Sequence, residues 1–374
     1  CHVMLNSRGS LYADRYRLLG ESGRDHDREW GKTVRAAVTR GKDSWTAEIT
    51  IPLAEFKTLV ADVPTSFSRS RMVDGRSGSA FYIWGPETIT SFVDSMNFGT
   101  VEYAAKPRDP RRIDAPWGTE TRVTNICYLE GADLAAANDY RRQMCQLDFK
   151  YPQDVTGFPT VVWFHGGGLT RGNKYFPRLD GRRLGVITAN YRLIGQDGIT
   201  GAAEPISDAA AAVAWALRHV AEYGGDPKRV FVSGMSAGGY LTMMVGMDPQ
   251  WLAKQGFALS DLAGLAPDSG QATTHFAIKE FRKDPRPGCR PVIDEWAPIW
   301  HCSTNVPPIV CITGEPGHEW PGRAEENELL IGTLKALGHK KAWYVRMPYA
   351  THGWAASCGE PYIELFAFGT YPEQ

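Results

Sequence analysis

Residues 229–246 read RVFVSGMSAGGYLTMMVG, and the character of the chain changes in the middle of them. Val230, Phe231 and Val232 are β-branched or aromatic and read as a buried strand, whereas Tyr240 to Val245 read as an apolar helix. Ser236 stands between Gly234 and Gly238 at the change. This spacing fits the G-x-S-x-G turn, which forces a serine into a strained conformation while small neighbours let strand and helix approach. Chance gives the pattern in about one chain in four of such glycine content, so the flanking strand and helix carry the reading. A glycine-rich turn capping a helix is the plainer alternative.

A reactive serine needs a place for negative charge and a base. Residues 161–172, VVWFHGGGLTRG, run from another strand into His165-Gly166-Gly167-Gly168, about 70 residues before Ser236. Successive glycines let backbone N–H groups converge on one point and hold a developing oxyanion. A phosphate-binding glycine loop is the competing reading, but the lysine and serine or threonine of a P-loop do not follow. His165 reads as a structural hydrogen-bonding residue rather than a base. That role falls to His352 in MPYATHGWAAS, residues 347–357, because it follows the last strand candidate in the order serine, acid, histidine. His275, His301, His318 and His339 lack that position.

Strand candidates alternate with helices from residue 117 onward: QMCQLDFKY, TVVWFHG, GVITANYRL, a helix over 207–223, RVFVSG, a helix after Ser236, LAGLAP, PIVCITG, a helix over 323–337 and KAWYVRMP. Such alternation predicts an α/β fold, a mostly parallel sheet with helices on both faces. Residues 1–103 read instead as an all-β segment, with alternation in DSWTAEITIPL and polar turns such as MVDGRSGS. Between them, AAKPRDPRRIDAPWG carries three prolines and six charges in 15 residues. Its composition marks residues 104–116 as a linker. The domain plan is therefore 1–103, linker 104–116, and 117–374.

The 374 residues, 43% apolar and 22% charged with a formal net charge of -1, fit a chain that buries a sizeable core. No basic field points to nucleic acid, and no apolar run reaches the length of a membrane span. The chain opens at Cys1 without initiator methionine or signal peptide, which reads as a processed product or a fragment. Seven cysteines at 1, 127, 145, 289, 302, 311 and 358 show no CxxC and no metal-ligand spacing. Cys289 and Cys302 flank a loop-rich stretch and are candidates for a bridge. Neither metal nor organic cofactor is called for.

FHGGG, NYRL, GGDPKRVFVSGMSAGG and THGW together resemble an α/β-hydrolase of the HGGG esterase type, over about two thirds of the chain. That group includes hormone-sensitive-lipase-like esterases and acetyl-xylan and feruloyl esterases. The resemblance implies that Gly167, Gly168 and the residue after the nucleophile, Ala237, supply the oxyanion hole. It also implies a Ser-His-acid mechanism with an acyl-enzyme. In NSRGSLYADR, WTAEITIPLAEF, RSRMVDGRSGSAFYIW and NFGTVEY, the N-terminal segment is similar to the C-terminal half of family-nine-like carbohydrate-binding modules. The earlier strands of that module are missing, which argues against independent sugar binding. Trp84 is either a sugar-stacking residue or a buried sandwich tryptophan.

The acid departs from the group's pattern. G-D-x-D-x-x-x-P normally follows the strand, whereas this chain reads TGEPGHEWPGRAEEN at 313–327, with Gly317 at the acid's place. Glu319 and Glu315 flank the gap, and Glu325 and Glu326 fall in the next helix. Glu319, just before Trp320-Pro321, is the candidate, because the extra methylene of glutamate reaches across a displaced backbone. Related esterases with glutamate at this place support the choice, and Glu315 stays as the alternative. The expected function is hydrolysis of acetyl or feruloyl esters on plant polysaccharide, outside the cytoplasm, secreted or periplasmic. A small-molecule esterase or arylformamidase is the alternative enzyme, and a non-catalytic carbohydrate-binding protein with a hydrolase shape the alternative of another class.

Overall fold

FPTVVWF, residues 158–164, is buried throughout and forms a central strand. Neighbouring side chains on a strand point to opposite faces. Val162 and Phe164 accordingly enter one apolar cluster and Val161 and Trp163 the other. The same division splits Val230 and Val232 from Phe231, and Ile309 and Cys311 from Val310 and Ile312. A strand buried on both faces needs helices on both.

The computed structural model describes residues 118–369 other than 287, 289, 348 and 349, together with strand segments within residues 1–100. The chain divides into two compact units, Cys1–Tyr82 with Ile89–Lys106, and Ile83–Thr88 with Pro107–Gln374. In the first lie β1 (His2–Leu5), β2 (Leu11–Leu19) and β3 (Gly23–Asp27), which form an antiparallel three-stranded sheet. The strands β4 (Arg35–Arg40) and β5 (Trp45–Thr50) pair antiparallel. So do β6 (Pro64–Thr65) and β9 (Gly99–Thr100), while β7 (Phe67–Val73) neighbours β8 (Arg76–Trp84). Trp84 ends β8, and its side chain lies outside the described residues.

The second unit carries an eight-stranded sheet. Its strands are β10 (Glu120–Cys127), β11 (Gln146–Pro152), β12 (Phe158–Phe164), β13 (Gly185–Ala189), β14 (Gly225–Met235), β15 (Gly264–Asp268), β16 (Ile309–Thr313) and β17 (Ala342–Arg346). Their order is β10-β11-β13-β12-β14-β15-β16-β17. Only the pairings of β11 with β10 and β13 are antiparallel. Among the helices of this unit are α1 (Ala203–His219), α2 (Ala237–Met247), α3 (Phe276–Phe281), α4 (Arg323–Ala336) and α5 (His352–Ala367). Alanines 209–212 of α1 are buried among the residues of one face, whereas Ile363 and Phe366 of α5 pack on the other. The mostly parallel sheet with helices on both faces is the α/β-hydrolase architecture expected from the sequence.

Several boundaries differ from expectation. The strand β10 is antiparallel with an alternating, half-exposed pattern, so it presents no apolar run to read. The helix read over 207–223 begins at Ala203 and ends in a 3-10 turn, Val220–Tyr223. His352, placed by the sequence only as following the last strand, opens a helix that the sequence did not reveal. Cys302 carries a free thiol, and Cys289 lies outside the described residues.

Candidate active site

The glycine loop, the serine, the acid loop and the base come after the C-terminal ends of β12, β14, β16 and β17. Parallel strands place all four on one edge of the sheet, where ligands bind in such folds. Ser236 has φ 57° and ψ −113°. A non-glycine residue held there costs about 1–3 kcal/mol and persists only when its surroundings fix it. Its N–H donates to the Asp268 carbonyl (2.8 Å), and its own carbonyl accepts from Tyr240 N–H (2.9 Å). A methyl group on Gly234 would stand 2.6 Å from the Phe164 carbonyl oxygen, and one on Gly238 would run into the same atom. The two glycines are therefore required by packing as much as by the turn.

The glycine loop rests on the serine, since a Cβ at Gly166 would lie 3.3 Å from Ser236 Cβ. Gly167 (φ 112°) and Gly168 (φ 66°) both take left-handed backbone. The Gly167 carbonyl turns back to accept from Thr170 and Arg171 N–H (3.2 and 3.1 Å). Among the described residues, the N–H groups of Gly167 and Gly168 donate to no backbone carbonyl. Ala237, the first residue of α2, has no intrahelical acceptor either. His165 is buried, its Nδ1 is 2.6 Å from the Gly166 carbonyl, and its ring stacks on Tyr191 (4.4 Å between centroids). Burial pushes its imidazole down to about 4, which keeps it neutral.

Glu319 and His352 are brought together: Glu319 Oε1 lies 2.6 Å from His352 Nδ1. The chain reaches this pairing through a turn after β16. His318 and Glu319 N–H donate to the Glu315 carbonyl (3.0 and 2.8 Å), and Gly317 takes φ 85° within the turn. Thus the residue at the usual acid position is the glycine that allows the reversal. Glu319 Oε1 also accepts from Trp320 N–H (2.8 Å), and Oε2 accepts from Ser269 Oγ (2.8 Å) and Gly314 N–H (3.1 Å). Burial works against its charge, but the hydrogen bond from His352, with the other donors, holds it below the usual carboxylate value. An ionised carboxylate only accepts, so Nδ1 carries the hydrogen and Nε2 keeps a lone pair for a hydroxyl proton. Glu315 faces His318 instead, at 3.9 Å. Glu325 is exposed on α4, and Glu326 pairs with Arg323 (2.9 Å).

Ser269 had no signal in the sequence. It has φ 46°, is buried, and its carbonyl accepts from Arg323 Nη1. Asp268 holds Ser236 through its main chain only. Burial, reinforced by the charge of Glu319, pushes its carboxyl well above the usual range, and that carboxyl lies against Gly359 of α5. Phe276 and Trp320 were also not singled out as site residues. Trp320 is 55% exposed, stacks near-parallel on Phe276 (6.2 Å between centroids) and stands 5.6 Å from the His352 ring. Among the described residues no group of three His, Cys, Asp or Glu side chains is arranged to hold a metal ion, and no helix is long and apolar enough to cross a membrane.

An α/β-hydrolase with a serine at the strand-to-helix elbow and a Glu-His pair beyond the last strands is thus the class that fold and site define. Known proteins of that class show the same likeness. Residues 147–262, which include the glycine loop and Ser236 but not Glu319 or His352, match the BD-FAE family model. The chain is 25% identical over 222 residues to a probable isoprenylcysteine alpha-carbonyl methylesterase, ICMEL1, of Arabidopsis thaliana, covering 52% of this chain and 46% of that protein. It is 29% identical over 234 residues to carboxylesterase 1F of Mus musculus, covering 54% of this chain and 38% of that protein. The chain therefore spans less than half the length of either relative. Among solved structures, a truncated form of carbohydrate esterase from gut microbiota superposes with a TM-score of 0.51 at 17% identity. That match covers 69% of this chain and 98% of the other.

Proposed function

We propose that the protein is a serine carboxylesterase. The observation that carries this reading is the 2.6 Å Glu319–His352 pair on the same sheet edge as a serine in elbow geometry. Ser236 Oγ attacks the ester carbonyl carbon while its proton passes to His352 Nε2. The carbonyl oxygen becomes an oxyanion held by the N–H groups of Gly167, Gly168 and Ala237. Collapse expels the alcohol, which takes the proton from Nε2, and leaves Ser236 acylated. Water then repeats the sequence, giving the carboxylic acid and free serine. Glu319 holds the imidazole in the required tautomer and stabilises its charged form.

The substrates proposed are acetyl or feruloyl esters on plant polysaccharide, met outside the cytoplasm. Support comes from the carbohydrate-esterase neighbour in fold and from the likeness of residues 1–103 to a partial carbohydrate-binding module, followed by the 104–116 linker and the 117–374 hydrolase region. The relatives named as a methylesterase and a carboxylesterase favour esters of small alcohols as a second reading. Labelling and substrate release test the two levels separately. A serine-directed fluorophosphonate should label the wild type stoichiometrically, and Ser236→Ala should stay folded, resist labelling and lose turnover on the order of 10⁶-fold. Near-normal activity in that variant refutes the serine-esterase reading. Release of acid from acetylated xylan, methyl ferulate and p-nitrophenyl esters then separates the polysaccharide reading from the small-alcohol one.

A further inference from the structure

Resting on the serine-esterase reading, we infer that Trp320, backed by Phe276, is the platform on which the alcohol part of the ester lies, and that it selects alcohols built as rings with an apolar face. The row of contacts runs around the reaction centre. A Cβ on Gly168 would stand 3.0 Å from Phe276 Cζ, so the phenyl ring lies against the proposed oxyanion loop. Phe276 stacks on Trp320 with 18° between the planes, and Trp320 faces the His352 imidazole at 5.6 Å. An aromatic wall thus reaches from the oxyanion donors to the base.

The chemistry assigns the Trp320 end to the leaving group. The leaving oxygen must come within hydrogen-bond reach of His352 Nε2, about 3 Å, to receive its proton. Whatever is attached to that oxygen then passes beside the imidazole, where the neighbouring indole stands 55% exposed. A large aromatic surface left open beside a reactive group offers stacking to a flat, C–H-rich or aromatic ring and little to a methyl group. The ring and the backbone that carries it are both anchored. Phe276 stacks on the indole, and the Trp320 main-chain N–H is bonded to Glu319 Oε1 (2.8 Å). Pyranose esters and aryl esters share the required chemistry.

The test keeps the acyl group constant as acetate and changes the alcohol: a xylopyranoside acetate, phenyl acetate and methyl acetate. In each case kcat/KM reports acylation, the step in which the alcohol leaves. Trp320→Ala should lower the ratio of kcat/KM for the ring acetates over methyl acetate by about tenfold, the scale of one lost aromatic contact with its buried area. Trp320→Phe should bring the ratio back to within about threefold of wild type, because a flat ring remains. A drop confined to the xylopyranoside identifies sugar as the occupant, and one confined to phenyl acetate identifies an aryl alcohol; either supports the platform. An unchanged ratio, or a loss that tracks the acyl chain when butyrate replaces acetate, overturns it. Fluorophosphonate labelling of the wild type is run alongside: labelling with no ring preference removes the platform alone, whereas absence of labelling removes the esterase reading as well.

Discussion

Replacing Glu319 by glutamine alters one atom of a group that takes part in four hydrogen bonds and conflicts with two of them in either orientation. His352 Nδ1 and Trp320 N–H meet one carboxylate oxygen, and Ser269 Oγ and Gly314 N–H meet the other. An amide has one oxygen and one NH₂ group, so one side must now face a donor. With NH₂ toward Ser269 the hydroxyl can turn round and accept, but Gly314 N–H is left without an acceptor. With NH₂ toward His352 the imidazole must accept at Nδ1, its hydrogen moves to Nε2, and the base is lost. Either arrangement strands a main-chain N–H, buried at Gly314 or part-buried at Trp320, at up to about 1–3 kcal/mol, and removes the negative charge that stabilises the imidazolium. The expected loss in kcat is at least about a hundredfold and up to about 10⁴, or roughly 3–5.5 kcal/mol of barrier. Glu315→Gln, altering a carboxylate 3.9 Å from His318, should cost less than about tenfold. The assay is p-nitrophenyl acetate turnover, with thermal melting to confirm folding. Glu319→Gln within tenfold of wild type, or Glu315→Gln the worse of the two, refutes the assignment.

Ser269→Ala removes one donor to the buried Glu319 carboxylate and should lower kcat by about tenfold while shifting the acid limb of the pH profile upward; an unmoved profile contradicts a positioning role. Burial pushes Glu360 on α5 from 4.5 to about 7, with the charges of Arg178 and Lys150 offsetting part of it. Between those values the unfolded chain releases a proton that the folded one keeps, so stability falls as pH rises through that window, by about 3 kcal/mol at most. Glu360→Gln should therefore melt higher than wild type at pH 8, with the gap closing toward pH 4; a wild type that is the more stable at pH 8 refutes the sign. Acetyl to butyryl esters should turn over faster than decanoyl ones, because the segment between β15 and β16, residues 269–308, is too short for a large apolar lid; preference for long chains points instead to a lipase.

What the sequence revealed was set by local sterics. Gly234, Gly238 and the 166–168 run are legible because close approach and left-handed backbone admit few other residues, so the spacing itself carries the geometry. The acid was harder to read. Its usual place holds Gly317, and only the turn through that glycine returns Glu319 to His352. Ser269 and Phe276 left no trace, since their roles depend on partners 50 and 44 residues away, Glu319 and Trp320. The helix from His352 was obscured by Gly353, Gly359 and Pro361, which read as loop formers in isolation. The edge strand β10 lacks an apolar run because it is half exposed.

The crowding around α2 also governs how such a protein can diverge. Gly234, Gly238 and Gly239 meet main-chain atoms of Phe164, Asp268 and Gly270, and Gly246 meets the side chain of Leu265, so even a methyl group has no room at these four positions. In the insertion of residues 269–308, Gly270 is held as tightly, against Gly239 and Tyr240, but further along it Phe281, Ile293 and Trp300 are exposed. Variation in substrate choice is thereby channelled into the exposed part of that insertion and the Trp320 position, while Glu319 and the elbow glycines stay fixed. A mutagenesis library aimed at new esters belongs in the exposed part of that insertion and at Trp320, because side chains at Gly234, Gly238, Gly239 and Gly246 collide with their neighbours.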